Sequence, residues 1–262
     1  MHLTKMQGLG NDYLYIYGEV SEPEKLSVRL SDRHFGIGSD GIILILPSGI
    51  ADFKMRIFNA DGSEAKMCGN GIRCVGKYVY DKGYTDKKHM TVETLSGIRE
   101  LDLDAKGSKV RSVTVDMGKA VAGEKSTLEV DGQKVEYIPV SVGNPHAVIF
   151  TPDAENVPLT EIGPKIEKHR QFPGGVNVEF AQIIGENRIR MRVWERGSGV
   201  TMACGTGACA TAAAAVKKGL CREDEEIQVV LDGGVLRIKV LPDKTVMMTG
   251  PAETVCECEV EI

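Results

Sequence analysis

Short runs in which apolar and polar residues alternate recur along the chain, and over most of its length they predict strands rather than helices. Phe53 to Phe58, Met90 to Thr94 and Lys109 to Val115 have this alternating or β-branched character in the first half. Ile189 to Trp194, Ile227 to Leu231 and Val235 to Val240 have it in the second. Tyr13 to Tyr17 and Ala147 to Phe150 add an apolar strand to each half, and Asp61-Gly62, Asp131-Gly132 and Gly233-Gly234 mark turns. Helical patterning is confined to Glu22 to Arg33, Thr160 to Lys168 and two stretches that follow Cys-Gly-x-Gly turns at Cys68 and Cys204. The second stretch, Ala208 to Lys218, is alanine-rich enough for strands to wrap closely around it. Lys82-Gly83 and Lys218-Gly219 supply a glycine to close each of these two helices. The tail, Thr254 to Ile262, alternates like a strand that could return to either half.

The pattern occurs twice. Cys204 lies 136 residues after Cys68, and Met191-Arg192-Val193-Trp194 stands at the same offset from Met55-Arg56-Ile57-Phe58. Lys82-Gly83 and Lys218-Gly219 share that offset. Arg33 to Gly38 is echoed by Arg170 to Gly175, Gly10-Asn11 by Gly143-Asn144, and Val115 to Ala120 by Met247 to Ala252, all at nearly the same spacing. Matches kept in one order argue for duplication and fusion, and the period is far too long for a solenoid. Two homologous domains follow, with the boundary near Gly118 to Ser126.

Composition narrows the function. The 262 residues are comfortable for two domains, and 42% hydrophobic with 26% charged residues describes a globular protein with a real core. A net charge of −5 leaves no basic footprint for nucleic acid and no polybasic stretch for a membrane surface. The N-terminal segment lacks the apolar core of a signal peptide, and no run is long enough to span a bilayer. Seven cysteines, an odd number, are expected as reduced thiols in the cytoplasm. With no Cys-x-x-Cys pair and five scattered histidines, no structural metal site is expected. Gly8-x-Gly10 lacks dinucleotide-binding spacing, and no Walker lysine follows a glycine loop.

The chemistry therefore centres on the two cysteines. Four N–H groups at a helix start have no intrahelical partner, the macrodipole adds positive potential there, and glycines admit a ligand close to the backbone. A thiol at such a start is expected to have its pKa lowered, and the backbone donors suit a carboxylate. One thiolate and one thiol facing the same carbon can remove a proton and return one to the opposite face, with no cofactor. A single cysteine beside glycines is more often just buried; the paired context reverses that weighting. Cys74 and Cys209 fall inside the helices and suit packing, and Cys256 and Cys258, two apart on a strand, should share a face.

The stretch Phe58-Asn59-Ala60-Asp61-Gly62-Ser63-Glu64-Ala65-Lys66-Met67-Cys68-Gly69-Asn70-Gly71-Ile72-Arg73-Cys74 carries the most specific signature. With Lys5 to Asp12, Gly143-Asn144-Pro145-His146, Glu195 to Gly199, Ala203 to Gly207 and Met248 to Ala252, it makes the chain resemble the diaminopimelate epimerase family over almost its whole length. The resemblance implies an α/β fold of the α+β type: two pseudo-symmetric domains, each a mostly antiparallel β-sheet or barrel wrapped around a central helix, with the active site in the cleft between them. It also returns the last strand to the first domain, giving halves of 1–118 plus 251–262, carrying Cys68, and 119–250, carrying Cys204. The implied activity is cofactor-independent, two-base epimerisation of LL-2,6-diaminopimelate to meso-diaminopimelate, a step toward lysine and peptidoglycan precursors. No nucleic acid or membrane partner is implied, and a homodimer is the expected form of any assembly.

Carried over position by position, the resemblance makes Cys68 and Cys204 the acid/base thiols. Gly69, Asn70, Gly205 and Thr206 would offer backbone N–H groups to the reacting carboxylate. Asn11, Asn59, Asn144 and Asn177 would bind substrate, Arg196 would fix its distal carboxylate, and Glu195 and His146, near the reacting centre and the amino groups, would help to set protonation. Two positions depart from many family members: Gly41 stands where Gln is common, and Val200 where Glu is common. A proline or hydroxyproline racemase would use the same two-thiol geometry, but usually has His at the place of Asn70 and no need of Arg196. A non-catalytic amino-acid binder or thiol redox sensor is the alternative from outside the enzymes.

Overall fold

A computed structural model describes residues 1–261; Ile262, the end of the expected tail strand, lies outside the described residues. The chain folds into two compact units, Met1–Val115 with the segment from Gly250 onward, and Asp116–Thr249.

In the first unit, β1 (His2–Gly8) and β2 (Asn11–Tyr17) form a hairpin, and α1 (Pro23–Ser31) leads to β3 (Gly41–Leu46). β4 (Phe53–Asn59), the short β5 (Glu64–Ala65), α2 (Gly69–Asp81), β6 (His89–Thr94), β7 (Gly97–Lys106) and β8 (Lys109–Lys119) follow, β8 running on into the second unit. β1 pairs antiparallel with β2, β2 parallel with β3, β3 antiparallel with β4 and β4 parallel with β6, and β6, β7 and β8 continue antiparallel.

The second unit contains β9 (Val121–Ala122), β10 (Ser126–Val130), β11 (Gln133–Ser141), β12 (Pro145–Phe150), α3 (Leu159–Glu167) and β13 (Asn177–Gly185). It continues with β14 (Arg188–Glu195), β15 (Gly199–Val200), α4 (Gly205–Lys217), β16 (Glu226–Leu231), β17 (Gly234–Val240) and β18 (Thr245–Pro251). β11 to β14 repeat the pairing of β1 to β4, parallel step included, and β14, β16, β17 and β18 repeat that of β4, β6, β7 and β8. The repeat holds residue by residue: Ile43 pairs with Ile57 as Glu179 pairs with Val193. The last strand, β19 (Glu253–Glu259), lies antiparallel on β1.

The fold is thus a mostly β mixed arrangement with four helices among the described residues. β3 is buried along its whole length because each of its faces meets a helix. Ile42, Leu44 and Leu46, with Leu14, Ile16 and Phe58 of the flanking strands, pack on Leu26 and Leu30 of α1. On the other face Tyr15 donates from its hydroxyl to the Gly71 carbonyl of α2 at 3.2 Å. α2 is buried from Gly69 to Val79, and α4 is buried almost as completely, its six alanines replacing bulk by close approach. No described helix is long and apolar enough to cross a membrane.

α3 fixes the end of β14. A Cβ on Gly163 would fall 2.5 Å from Cγ of Trp194, so the helix rests directly on the indole. The indole Nε1 donates to Glu167 at 2.7 Å, and the other carboxylate oxygen of Glu167 accepts from Gly197 N at 3.0 Å. Glu195 and Arg196 lie between these two anchors. Gly163→Ala adds about 1 kcal/mol of helix propensity but overpacks the contact by about 1–3 kcal/mol. A net fall of a few degrees in melting temperature is expected in a thermal scan; a melting temperature equal to or above that of the parent would overturn this account.

Candidate active site

A helix buried on all sides must satisfy its first-turn N–H groups from nearby. In both central helices a cysteine does this. Cys68 and Cys204 are N-caps in extended conformation, and their sulfurs accept from Gly71 N at 3.3 Å and Gly207 N at 3.4 Å. Their carbonyls accept from Ile72 and Ala208. Gly69 and Asn70, and likewise Gly205 and Thr206, hold the first two positions, so their N–H groups belong to the helix mouth. The Gly-x-Gly segments are therefore the first helical turns, not turns that precede the helices.

Cys68 meets an amide. Its sulfur donates to Asn11 Oδ1 at 3.3 Å. The Asn11 amide is oriented from behind by Asp40, which accepts from Nδ2 at 2.7 Å and in turn meets Arg33 at 3.1 Å. Burial alone would push the neighbouring Asp12 carboxyl up, but Arg33 and Lys5 hold it below the usual range. The Asn70 side chain turns inward and accepts from Arg73 at 3.0 Å; Arg73, fully buried, also donates to Gly69 O and Pro251 O. Asn59, at the end of β4, donates to Ser63 at 3.1 Å within its own turn.

Around Cys204 the partners include two carboxylates. Cys204 Sγ lies 3.6 Å from the Thr206 hydroxyl, which accepts from Asn144 Nδ2 at 3.3 Å. Asn144 Oδ1 is 3.0 Å from His146 Nε2, and His146 Nδ1 is 2.6 Å from Glu179. Glu195 is hydrogen-bonded to both Thr201 and Cys204. Burial pushes the Glu195 carboxyl above its ordinary range despite these two bonds. Burial first, then the charges of Glu195 and Glu179, push the Cys204 thiol well up. The lowered pKa expected of a helix-start thiol is thus reversed at Cys204, because desolvation and like charge outweigh the helix donors. Cys74, inside α2, is pushed up to about 11 by burial, as suits a packing thiol.

Asn177 joins the elements of this half: it donates to Pro145 O at 3.1 Å and accepts from Arg196 N at 3.0 Å. Arg196 is exposed, donates to Gly174 O at 3.0 Å and borders an open pocket of about 420 Å³ shared with Lys168, His169 and Arg170. Gly41 has a left-handed φ of 154°, and a Cβ there would fall 2.1 Å from Phe58 O, so no Gln fits this backbone. Val200 sits exposed on β15. Cys256 and Cys258 do share a face, with sulfurs 3.5 Å apart. Periodicity and motif missed Glu179, Asp40, Arg73 and Glu167; only Glu179, a lone acid in the buried run from Asn177 to Ala181, left a readable trace.

The sequence profile of diaminopimelate epimerase matches residues 3–122 and 138–255. The diaminopimelate epimerase of Methanococcus maripaludis is 49% identical over 279 residues, covering 100% of both chains. That of Bacteroides thetaiotaomicron is 52% identical over 263 residues, covering 98% of this chain and 97% of its own. Among solved structures, a probable proline racemase from Agrobacterium radiobacter superposes with a TM-score of 0.77 at 18% identity, covering 100% of this chain and 93% of its own. A PhzF-family phenazine biosynthesis protein from Bacillus anthracis gives 0.75 at 16%, covering 100% and 99%. At such identities these two likenesses concern the fold alone. On the profile match and the full-length identities, the chain belongs to the diaminopimelate epimerase family.

Proposed function

We propose that this chain is an isomerase that interconverts LL- and meso-2,6-diaminopimelate by a two-thiol proton transfer. The observation that carries the reading is the pair of cysteine-capped helix starts, alike in geometry and unlike in surroundings. Donors of the helix mouths, Gly69, Asn70, Gly205 and Thr206, receive the reacting carboxylate and stabilise the charge that spreads onto it as the α-proton leaves. Arg196 offers a guanidinium fork to the distal carboxylate. Asn11, Asn59, Asn144 and Asn177 supply neutral amides to the amino groups and carboxylates, and His146 bears on protonation around Cys204.

Cys68 donates its proton to Asn11, and Cys204 holds its own firmly, so a thiolate has to be made. Glu195, hydrogen-bonded to Cys204 and made more basic by burial, is the group placed to take that proton. In one direction Cys204 passes its proton to Glu195 and, as thiolate, removes the α-hydrogen. Cys68 then gives its proton to the opposite face of the carbon and is left as a thiolate facing the Gly71 N–H. In the other direction Cys68 is the base and Cys204 the acid. Solvent resets the proton between Glu195 and Cys68 after product leaves. Seven cysteines, an odd number, suit a reducing cytoplasm, and a homodimer belongs to the same reading.

Replacing either thiol tests the reading directly. Cys68→Ala and Cys204→Ala should each lose epimerisation by about 10²–10⁴-fold, the usual worth of a general acid or base, with the fold retained by circular dichroism. Exchange of the α-hydrogen of LL-diaminopimelate with deuterium from solvent is the companion assay. Normal exchange in either variant would refute two-thiol catalysis, and no exchange in the parent would favour a mere binder or redox sensor.

Glu195→Gln removes both a proton acceptor and a negative charge. Turnover should fall by about 10–100-fold, below the full acid/base contribution. Because the lost charge had been pushing the Cys204 thiol up, the pH profile of its alkylation by iodoacetamide should move to lower pH. A profile that stays or rises would contradict the assigned role.

A further inference from the structure

Glu179 is the third residue of β13, its side chain fully buried and paired at 2.6 Å with an equally buried His146. One oxygen, Oε1, makes this contact, while Oε2 is buried without a hydrogen-bond partner. Burying a carboxylate in this way is costly. The fold itself does not require it. At the equivalent place in the first unit stands Ile43, 136 residues earlier and in the same register on its sheet. A Cβ on Gly71 would lie 2.6 Å from Ile43 Cδ1, and one on Gly207 would lie 2.8 Å from Glu179 Oε1 and 3.2 Å from the Cys204 sulfur. Each side chain thus lies under the third residue of its central helix. One unit fills that space with an apolar group; the other fills it with a carboxylate beneath its cysteine.

We propose that Glu179 is a positioning residue for Cys204: by sharing one proton with His146 it fixes the direction of the hydrogen-bond chain that runs through Asn144 and Thr206 to the sulfur. The inference rests on the acid/base reading of Cys204.

The protons can be followed along the chain. Asn144 donates its Nδ2 to Thr206, so its Oδ1 faces His146 Nε2, and that nitrogen carries a hydrogen. The 2.6 Å contact between His146 Nδ1 and Glu179 Oε1 holds a second one. Together the two groups carry one proton more than a neutral imidazole and a carboxylate, so the shared proton offsets the push that the Glu179 charge alone gives the Cys204 thiol. No uncompensated charge is left beside the bare Oε2. Because Thr206 already accepts from Asn144, its hydroxyl hydrogen is free to point at the Cys204 sulfur, where it stabilises the thiolate.

Without Glu179, His146 is no longer held with hydrogen on Nε2. The chain can then reverse: Asn144 turns its amide nitrogen to His146, and Thr206 donates to Asn144 instead of to sulfur. The other titratable groups facing this arrangement are Glu195 on β14 and Cys204 itself on α4. Glu195 lies outside the chain and keeps its bond to Thr201 in either direction.

The test is Glu179→Gln, whose amide can either donate to or accept from Nδ1 and so leaves both directions open. Glu179→Ile, copying the residue of the first unit, is the second variant. Turnover should fall by about 10–100-fold, the cost of removing a carboxylate behind a metal-bound histidine, with KM within about twofold of the parent. The pH profile of Cys204 alkylation by iodoacetamide, followed by peptide mass spectrometry, should move to higher pH while that of Cys68 stays. A Cys204 profile that stays or moves to lower pH overturns the proposal, the latter because Glu179 would then be acting as a bare charge. The two failures are separable: an active Cys204→Ala variant removes the acid/base reading itself, whereas an inactive one with a parent-like Glu179→Gln removes the positioning role alone.

Discussion

Each unit depends on satisfying the start of a helix that has no water around it. A helix wrapped by strands cannot leave its first N–H groups to solvent, and a small side chain with an acceptor atom has to sit at the cap. Sulfur does so in both units, at nearly equal distances from the third residue. The same requirement explains the glycines: at that third position, a Cβ would collide with Ile43 in one unit and Glu179 in the other. In the proposed function, structural capping and chemistry fall on the same atom. A thiol held as an N-cap is positioned by the helix it closes, together with the N–H groups of the helix mouth.

On that shared frame the two cysteines are given different electrostatic settings. Cys68 meets an amide whose orientation is set by Asp40 and Arg33, one step removed from the sulfur. Cys204 meets Glu195 and, beyond Gly207, Glu179. Duplication supplies two equal starting points; substitution at equivalent positions, Asn59 against Glu195 and Ile43 against Glu179, separates them.

Much of this was legible from residue order, and the limits have physical causes. Strands with one solvated face, such as β14 and β17, announce themselves by alternation. β3 and β13 do not, because helices cover both faces of β3 and β13 is buried over its first five residues, so their apolar runs could equally be helical. Helix starts were displaced for a related reason: the glycines suggested turns, yet with their N–H groups directed at sulfur they form the first helical turn. Among the site residues, Cys204, Thr206, Asn144 and His146 come together in one hydrogen-bonded chain and Asn11 meets Cys68, whereas Asn59 is bound within its own turn.

Taken alone, the sequence determined the internal repeat, the two cysteine-bearing helix starts, the β-rich architecture and the family, since these rest on spacing and local pattern. Only the tertiary structure decided the protonation setting of Cys204, the buried Glu179–His146 pair and why no side chain fits at position 41. Burial, charge and steric fit depend on groups brought together from distant parts of the chain: Glu179 lies 33 residues from His146 and reaches Cys204 only because β13 passes beneath α4. No local pattern encodes such a distance, and the chemistry of a thiol is set by it.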